Sequence, residues 1–330
     1  MGAAHDTGAT SASEGTDLDV AHGYADLGEG LRLHYAEAGT GPLVVLLHGF
    51  PEFWYSWRRQ IPALAAAGFH VVAPDMRGYN LSDKPPGAHA YGLEVLAGDI
   101  AGLVDHFGES QAFVAGHDWG AAVAYGVAMY HPEVVRRLAI LNVPHPERML
   151  QGLRTLRQLR KSWYMFFFQI PALPEALMRK GDYSFAKRSL RADSPQSFSD
   201  ADLERYVEAW SQPGALTAMI NYYRSAFRQS PGEGMARLRR IEAPTLVIWG
   251  KRDRHLGAEL AEPLPRWVPN ARVEWLPNAT HWVQHEEAAR VNDLLAEFFA
   301  PDAGADGPDA PEGAIDDGGG ASGGAAAGAD

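Results

Sequence analysis

The chain has 330 residues, 46% of them hydrophobic and 21% charged, with nine Trp and no Cys. That composition suits one large α/β domain carrying an insertion, or two domains, and it excludes disulfides and thiol chemistry. The formal charge of −12 comes from the ends: residues 1–19 hold four acids and 301–330 hold seven, with no Lys or Arg in either, so 20–300 carries only −1 and has no basic excess for nucleic acid.

Both ends are rich in Gly, Ala, Ser and Asp without apolar periodicity, which predicts disordered tails at 1–19 and 301–330. No apolar run reaches about 18 residues, so no membrane span is expected. No charged-then-apolar signal opens the chain, and a cytoplasmic protein is expected. Residues 20–38 read as a β-hairpin with Gly28-Glu29-Gly30 at its turn. Leu43 to Leu47 is an unbroken apolar run, as in a strand covered on both faces, and it ends at His48-Gly49-Phe50-Pro51-Glu52. A helix over 56–66 closes at Gly68. A strand at His70–Ala73 leads into Asp75-Met76-Arg77-Gly78-Tyr79. Helical spacing runs from Leu93 to Phe107 and stops at Gly108. Strands follow at Ala112–Ala115 and Arg137–Leu141. From Pro144 to about Arg240 the strand rhythm gives way to helices and aromatics. It resumes at Thr245–Trp249 and Val273–Leu276, with a closing helix from about His285 to Phe299. Strands alternating with helices imply a parallel sheet with crossovers. The chain therefore divides into a core at 20–143 and 241–300 and a helical cap at 144–240, laid over the strand ends.

Gly116-His117-Asp118-Trp119-Gly120 lies between the Ala112–Ala115 run and a run of small residues from Ala121 to Met129. Strand, glycine-flanked residue, helix is the layout of a nucleophile elbow. The flanking glycines leave room for the tight turn. The usual occupant of the centre is Ser; here it is Asp118. A carboxylate attacking a carbonyl would form an over-reactive anhydride. Attacking a saturated carbon, it gives a stable alkyl ester. The substrate must then carry a leaving group on sp3 carbon, an epoxide oxygen or a halide.

Hydrolysis of that ester needs a base, an acid to hold the base, and donors for an oxyanion. His281, between a strand and the last helix, can reach back to Asp118. Asp253, after Trp249-Gly250 at a strand end, can orient the imidazole. The order nucleophile, acid, His follows the elbow template. Of the other histidines, His117 reads as buried and structural, His285 as a surface residue of the last helix, and His145 has no evident partner. The backbone N–H groups of Trp119 and Phe50 are the expected oxyanion donors, with Gly49 allowing close approach; Pro51 is a candidate for a preceding cis bond.

These motifs, with Asn142-Val143-Pro144-His145-Pro146 and His281-Trp282, resemble those of the α/β-hydrolase superfamily, and within it the epoxide hydrolases, over roughly residues 25–300. The resemblance implies an α/β-hydrolase fold: a mostly parallel eight-stranded sheet flanked by helices, with a helical cap inserted after the sixth strand. It implies conversion of an epoxide to a vicinal diol, water as cosubstrate, no metal or organic cofactor, and two cap tyrosines that hydrogen-bond the epoxide oxygen. An alkoxide is a poor leaving group, so an acid must donate as the C–O bond breaks. A tyrosine, with an ordinary pKa of about 10, stays protonated to do so. Tyr223 fits the family pattern best, with Tyr222 its competitor, and Tyr164 is the expected second. Phe166 to Phe168 read as packing. The aromatic cap suggests a small apolar epoxide as partner and a monomer or homodimer. The first rival is a haloalkane dehalogenase, which shares the Asp-His-Asp machinery and Trp119 but often has a side-chain donor where Phe50 stands. The second is a non-catalytic ligand sensor of the same fold, against which the presence of all three triad residues argues.

Overall fold

Every residue of Leu43–Leu47 is buried, as a strand covered on both faces requires. The computed structural model describes residues 18–28, 30–228 and 231–300; apart from Leu18 and Asp19, the expected tails lie outside the described residues. The strands are β1 (Ala21–Asp26), β2 (Arg32–Ala38), β3 (Leu43–Leu47), β4 (His70–Pro74), β5 (Ala112–His117), β6 (Val135–Leu141), β7 (Thr245–Gly250) and β8 (Ala271–Leu276). They form one eight-stranded sheet in the order β1-β2-β4-β3-β5-β6-β7-β8. The hairpin pairs β1 with β2 antiparallel, β2 pairs antiparallel with β4, and from β4 to β8 every pairing is parallel. The expected mostly parallel sheet is therefore present.

Helices α1 (Gln60–Ala66), α2 (Leu93–His106) and α3 (Trp119–Tyr130) alternate with the strands. Where one helix over 56–66 was expected, a 3-10 turn at Trp54–Trp57 precedes α1. α2 stops ahead of Gly108, whose φ of 72° suits glycine. Between β6 and β7 there are only helices among the described residues: α4 (Pro146–Gly152), α5 (Leu156–Lys161), α6 (Trp163–Phe167), α7 (Leu173–Asp193), α8 (Asp200–Ser211), α9 (Ala215–Ala226) and α10 (Pro231–Ala236). α7 is kinked at Lys180–Tyr183, where three consecutive residues have positive φ. α8 opens on a capping box, Ser199 with Asp202.

This helical layer rests on the loops at the C-terminal ends of the strands. Trp210 Nε1 donates to the Pro51 carbonyl at 2.5 Å and the Tyr206 hydroxyl to Glu52 at 2.7 Å. The Tyr222 hydroxyl donates to the Arg77 carbonyl at 2.7 Å. All three rings are almost fully buried, and burial of each stabilises the junction by about 2–3 kcal/mol.

The expected closing helix is two. α11 (Val283–Glu286) and α12 (Ala288–Phe299) are separated by Glu287, whose φ of −119° and ψ of 42° are not helical. α12 buries Val291, Leu294, Leu295 and Phe298 at helical spacing. No helix among the described residues is long and apolar enough to cross a membrane.

Candidate active site

β5 delivers Asp118 at φ 50° and ψ −123°, and α3 begins at the next residue. A non-glycine residue held there is strained, and the surroundings enforce it. A Cβ on Gly116 would collide with the Gly120 carbonyl, and one on Gly120 with the Leu47 and His48 carbonyls. β3, β5 and α3 thus meet without room for a methyl group, and the carboxylate projects above the sheet.

Asp118 Oδ1 accepts the Phe50 N–H at 2.8 Å. Gly49 permits this approach, because a Cβ there would overlap the Asp118 side chain. The Phe50–Pro51 peptide is cis. Trp119 is the first residue of α3, so its N–H is one of the orphan donors of a helix start.

His281 Nε2 stands 3.5 Å from Asp118 Oδ2, and its Nδ1 bonds Asp253 Oδ2 at 2.7 Å. Asp253 is fully engaged. Oδ1 accepts the N–H groups of His255 and Leu256 at 2.7 and 2.8 Å, and Oδ2 also accepts Asn142 Nδ2 at 2.7 Å. Asn142 holds its own place with a positive φ of 49° and by accepting the Gly250 N–H at 2.9 Å. Burial opposes both charges. The imidazolium nevertheless holds the Asp253 carboxyl down to about 2, and Asp253 together with Asp118 raises His281 to about 10. Burial likewise pushes the Asp118 carboxyl up, but the hydrogen bond and charge of His281 carry it below the usual range.

Two cavities meet at this carboxylate. One, of about 150 Å³, is aromatic, with Phe50, Trp163, Phe167, Phe168 and Trp282 in its wall. The other, of about 100 Å³, is lined by Ala122, Val143, Met149, Met165 and Leu256. Asp118, Tyr164 and Tyr223 border both. The two tyrosine rings lie 5.9 Å apart, and Trp119 and Phe50 each stand edge-on to Tyr223 at 5.1 and 5.3 Å. Burial and then the Asp118 charge push both hydroxyls well above the ordinary tyrosine value, so both stay protonated. Tyr222 is engaged elsewhere, its hydroxyl bound to the Arg77 carbonyl.

His117 is fully buried, donating from Nε2 to the His281 carbonyl at 2.8 Å and accepting from Gln284 at 3.0 Å. His285 is not the surface residue expected of the last helix. It is buried, with Nε2 2.6 Å from Glu52 Oε1 and Nδ1 3.1 Å from Arg58 Nη1. Its helix faces the layer rather than solvent because the chain breaks at Glu287. Burial drives its pKa down to about 4. His145 does have partners: its Nδ1 accepts the Glu147 N–H at 3.3 Å and its ring stacks on Trp267. Glu52, Asn142 and His255 were missed as members of the site. Their signals were the HGFPE and NVPHP motifs and the closeness of His255 to Asp253.

An acid-held imidazole behind a carboxylate on a strained strand–helix turn defines a hydrolase of the α/β class. The family model described as the alpha/beta hydrolase fold matches residues 42–288. AB hydrolase superfamily protein YfhM of Bacillus subtilis (strain 168) is 45% identical over 278 residues, which is 82% of this chain and 95% of that protein. Epoxide hydrolase 4 of Mus musculus is 38% identical over 280 residues, 82% of this chain and 77% of that one. A Bacillus megaterium epoxide hydrolase crystallised with an inhibitor superposes with a TM-score of 0.76 at 33% identity, covering 84% of this chain and 99% of the other. An epoxide hydrolase of Vigna radiata gives 0.74 at 29% identity over 86% and 98%. The chain belongs to the epoxide hydrolase family of the α/β-hydrolase fold.

Proposed function

We propose that the protein converts an apolar epoxide to a vicinal diol through an alkyl ester on Asp118. The epoxide sits where the two cavities meet, its oxygen toward Tyr223 and Tyr164. Asp118 attacks one ring carbon from behind, the C–O bond breaks, and a tyrosine gives its proton to the alkoxide. The helices between β6 and β7 act as the cap that supplies these tyrosines and excludes water.

Esterification removes one of the two carboxylates that keep His281 protonated. The imidazolium passes its Nε2 proton to the tyrosinate and is left neutral, held by Asp253. It then takes a proton from water, and the hydroxide adds to the ester carbonyl. The oxyanion is met by the N–H groups of Phe50 and Trp119. Collapse releases the second hydroxyl of the diol and restores the Asp118 carboxylate. Water contributes one proton to His281 and one to the diol, so the cycle closes.

The observation that carries this reading is Asp118 at the elbow, within reach of His281 on one side and facing two protonated tyrosines across an apolar cavity. The test is a substrate panel: styrene oxide and an alkyl epoxide beside an alkyl bromide and a p-nitrophenyl ester. Diol from the epoxides, lost in Asp118→Ala, is the expected result. Bromide release without diol would make the protein a haloalkane dehalogenase, and no adduct on Asp118 with any substrate would make it a sensor.

A further inference from the structure

Ten large apolar side chains stand out as exposed among the described residues, and six of them fall between Leu156 and Phe185. Trp163 is 57% exposed and Phe166 46%, and Phe166 touches exposed Phe227 edge-on at 5.2 Å. The same stretch is basic. Residues 148–192 hold ten Arg or Lys against two acids, a net +8 in a chain of net −12. Some of these cations have exposed carboxylate partners, as Arg157 has Glu259 and Lys187 has Asp182. Arg160, Arg179 and Arg188 make no ion pair among the described residues.

Beside this face lies an open cleft of about 890 Å³, bordered by Pro171, Arg179, Thr217, Asn221, Phe227 and Arg228. Asn221 is only 7% exposed, and its amide has no hydrogen-bond partner among the described residues. The acid at the cleft, Glu175, is already neutralised by Arg224 at 2.7 and 3.2 Å. The cleft therefore presents guanidinium groups and the unpaired Asn221 amide to whatever enters it.

We propose that this face docks peripherally on an anionic phospholipid surface. Trp163, Phe166 and Ile170 enter the boundary between headgroups and acyl chains, the arginines meet lipid phosphates, and the cleft takes a headgroup. Exposed aromatics flanked by cations are the chemistry of interfacial binding. A second copy fits poorly, because a twofold contact through this face would bring the cations of one copy, Arg160, Arg179 and Arg188 among them, against those of the other. The acidic segment 301–330 fits poorly as well, since Ile315 is its one large apolar residue. Trp163 and Phe185 are exposed here and also line the cavity at Asp118, so the cavity opens on the docking face. On the reading of the site as an epoxide hydrolase, a membrane-dissolved substrate would enter without crossing water.

The test is flotation of the full chain with vesicles of phosphatidylcholine alone and of phosphatidylcholine mixed with phosphatidylglycerol, without substrate, so that it stands apart from the assay of activity. The protein should float with the mixed vesicles only, and sink when salt near 1 M shortens the Debye length to about 3 Å. Phe166→Ser with Ile170→Ser, and separately Arg160→Glu with Arg179→Glu, should each weaken vesicle partitioning about tenfold or more. Turnover of dissolved substrate should stay at the wild-type level. Equal binding to neutral vesicles, no binding, or variants that float like wild type would overturn the proposal. So would a dimer in solution that both variants dissolve, which would assign the face to a second copy.

Discussion

Replacing Asp253 by Asn should separate the two halves of the reaction, and the hydrogen bonds around it say why. Oδ1 receives two backbone N–H groups, from His255 and Leu256. The new amide must therefore place its oxygen there and turn its NH2 toward His281 Nδ1 and the Asn142 amide, which already donates. His281 would have to accept at Nδ1 and so carry its proton on Nε2, the nitrogen that takes a proton from water in the proposed mechanism. The charge is lost as well. Asp253 and Asp118 together raise His281 from 6.5 to about 10, which corresponds to about 5 kcal/mol in favour of the imidazolium, and once Asp118 is esterified only the share of Asp253 remains. A wrong tautomer and a lost charge together should slow ester hydrolysis by about 10³–10⁴-fold. In the proposed mechanism attack by Asp118 does not use the base, so it should be slowed only a few-fold. In a stopped reaction with styrene oxide, intact-protein mass should show the adduct accumulating on Asp118, and steady-state diol formation should collapse. Diol turnover within tenfold of wild type, or collapse without an adduct, would refute the division of labour between Asp118 and His281.

Tyr223→Phe should lower kcat/KM for epoxides by about 10², and adding Tyr164→Phe should take the loss to about 10⁴, measured as diol by chromatography; an equal loss from Tyr222→Phe would undo the assignment. His285 and His145 are both held to about 4 by burial, against an ordinary 6.5. Between those values the unfolded chain binds protons that the folded chain refuses, so the urea midpoint should fall as pH drops from about 6.5 to 4. His281, raised to about 10, has the opposite sign: its contribution is complete below 6.5 and fades as pH rises through 10. Midpoints flat across both windows would contradict those environments. Gly120→Ala should cost about 3 kcal/mol or more, because the added methyl meets backbone carbonyls that cannot swing away; a melting temperature within a few degrees of wild type would show that the elbow has slack.

The sheet was legible because buried parallel strands are continuous apolar runs, and Leu43–Leu47 or Thr245–Trp249 admit no other reading. Asp118, His281 and Asp253 could be picked out as candidates because each follows a strand end, and the structure brings the three side chains together. The residues that hold them were harder to read, because their meaning lies in partners far away in the chain. His285 looked like a helix-surface residue, yet Glu52, its partner, is 233 positions earlier. Tyr222 and Tyr223 are adjacent and alike in sequence. Only the direction of the helix sends one hydroxyl to Arg77 and the other ring to the cavity. The break at Glu287 has no Pro or Gly to announce it.

Glu52 is fully buried, held by His285, Ser56 and Gln284 from below and by Tyr206 of α8 from above. Two residues earlier in the same loop is the N–H that faces Asp118, and between them the Pro51 carbonyl is gripped by Trp210, also of α8. A change in α8 would thus also shift the loop whose N–H meets Asp118. Changes at the aromatic wall carried by α6 leave that anchor alone. Adaptation to new substrates should therefore accumulate in α6 and the loop after it, while α8 drifts slowly, and grafting the helical layer of one relative onto the sheet of another should succeed only when the HGFPE loop travels with it.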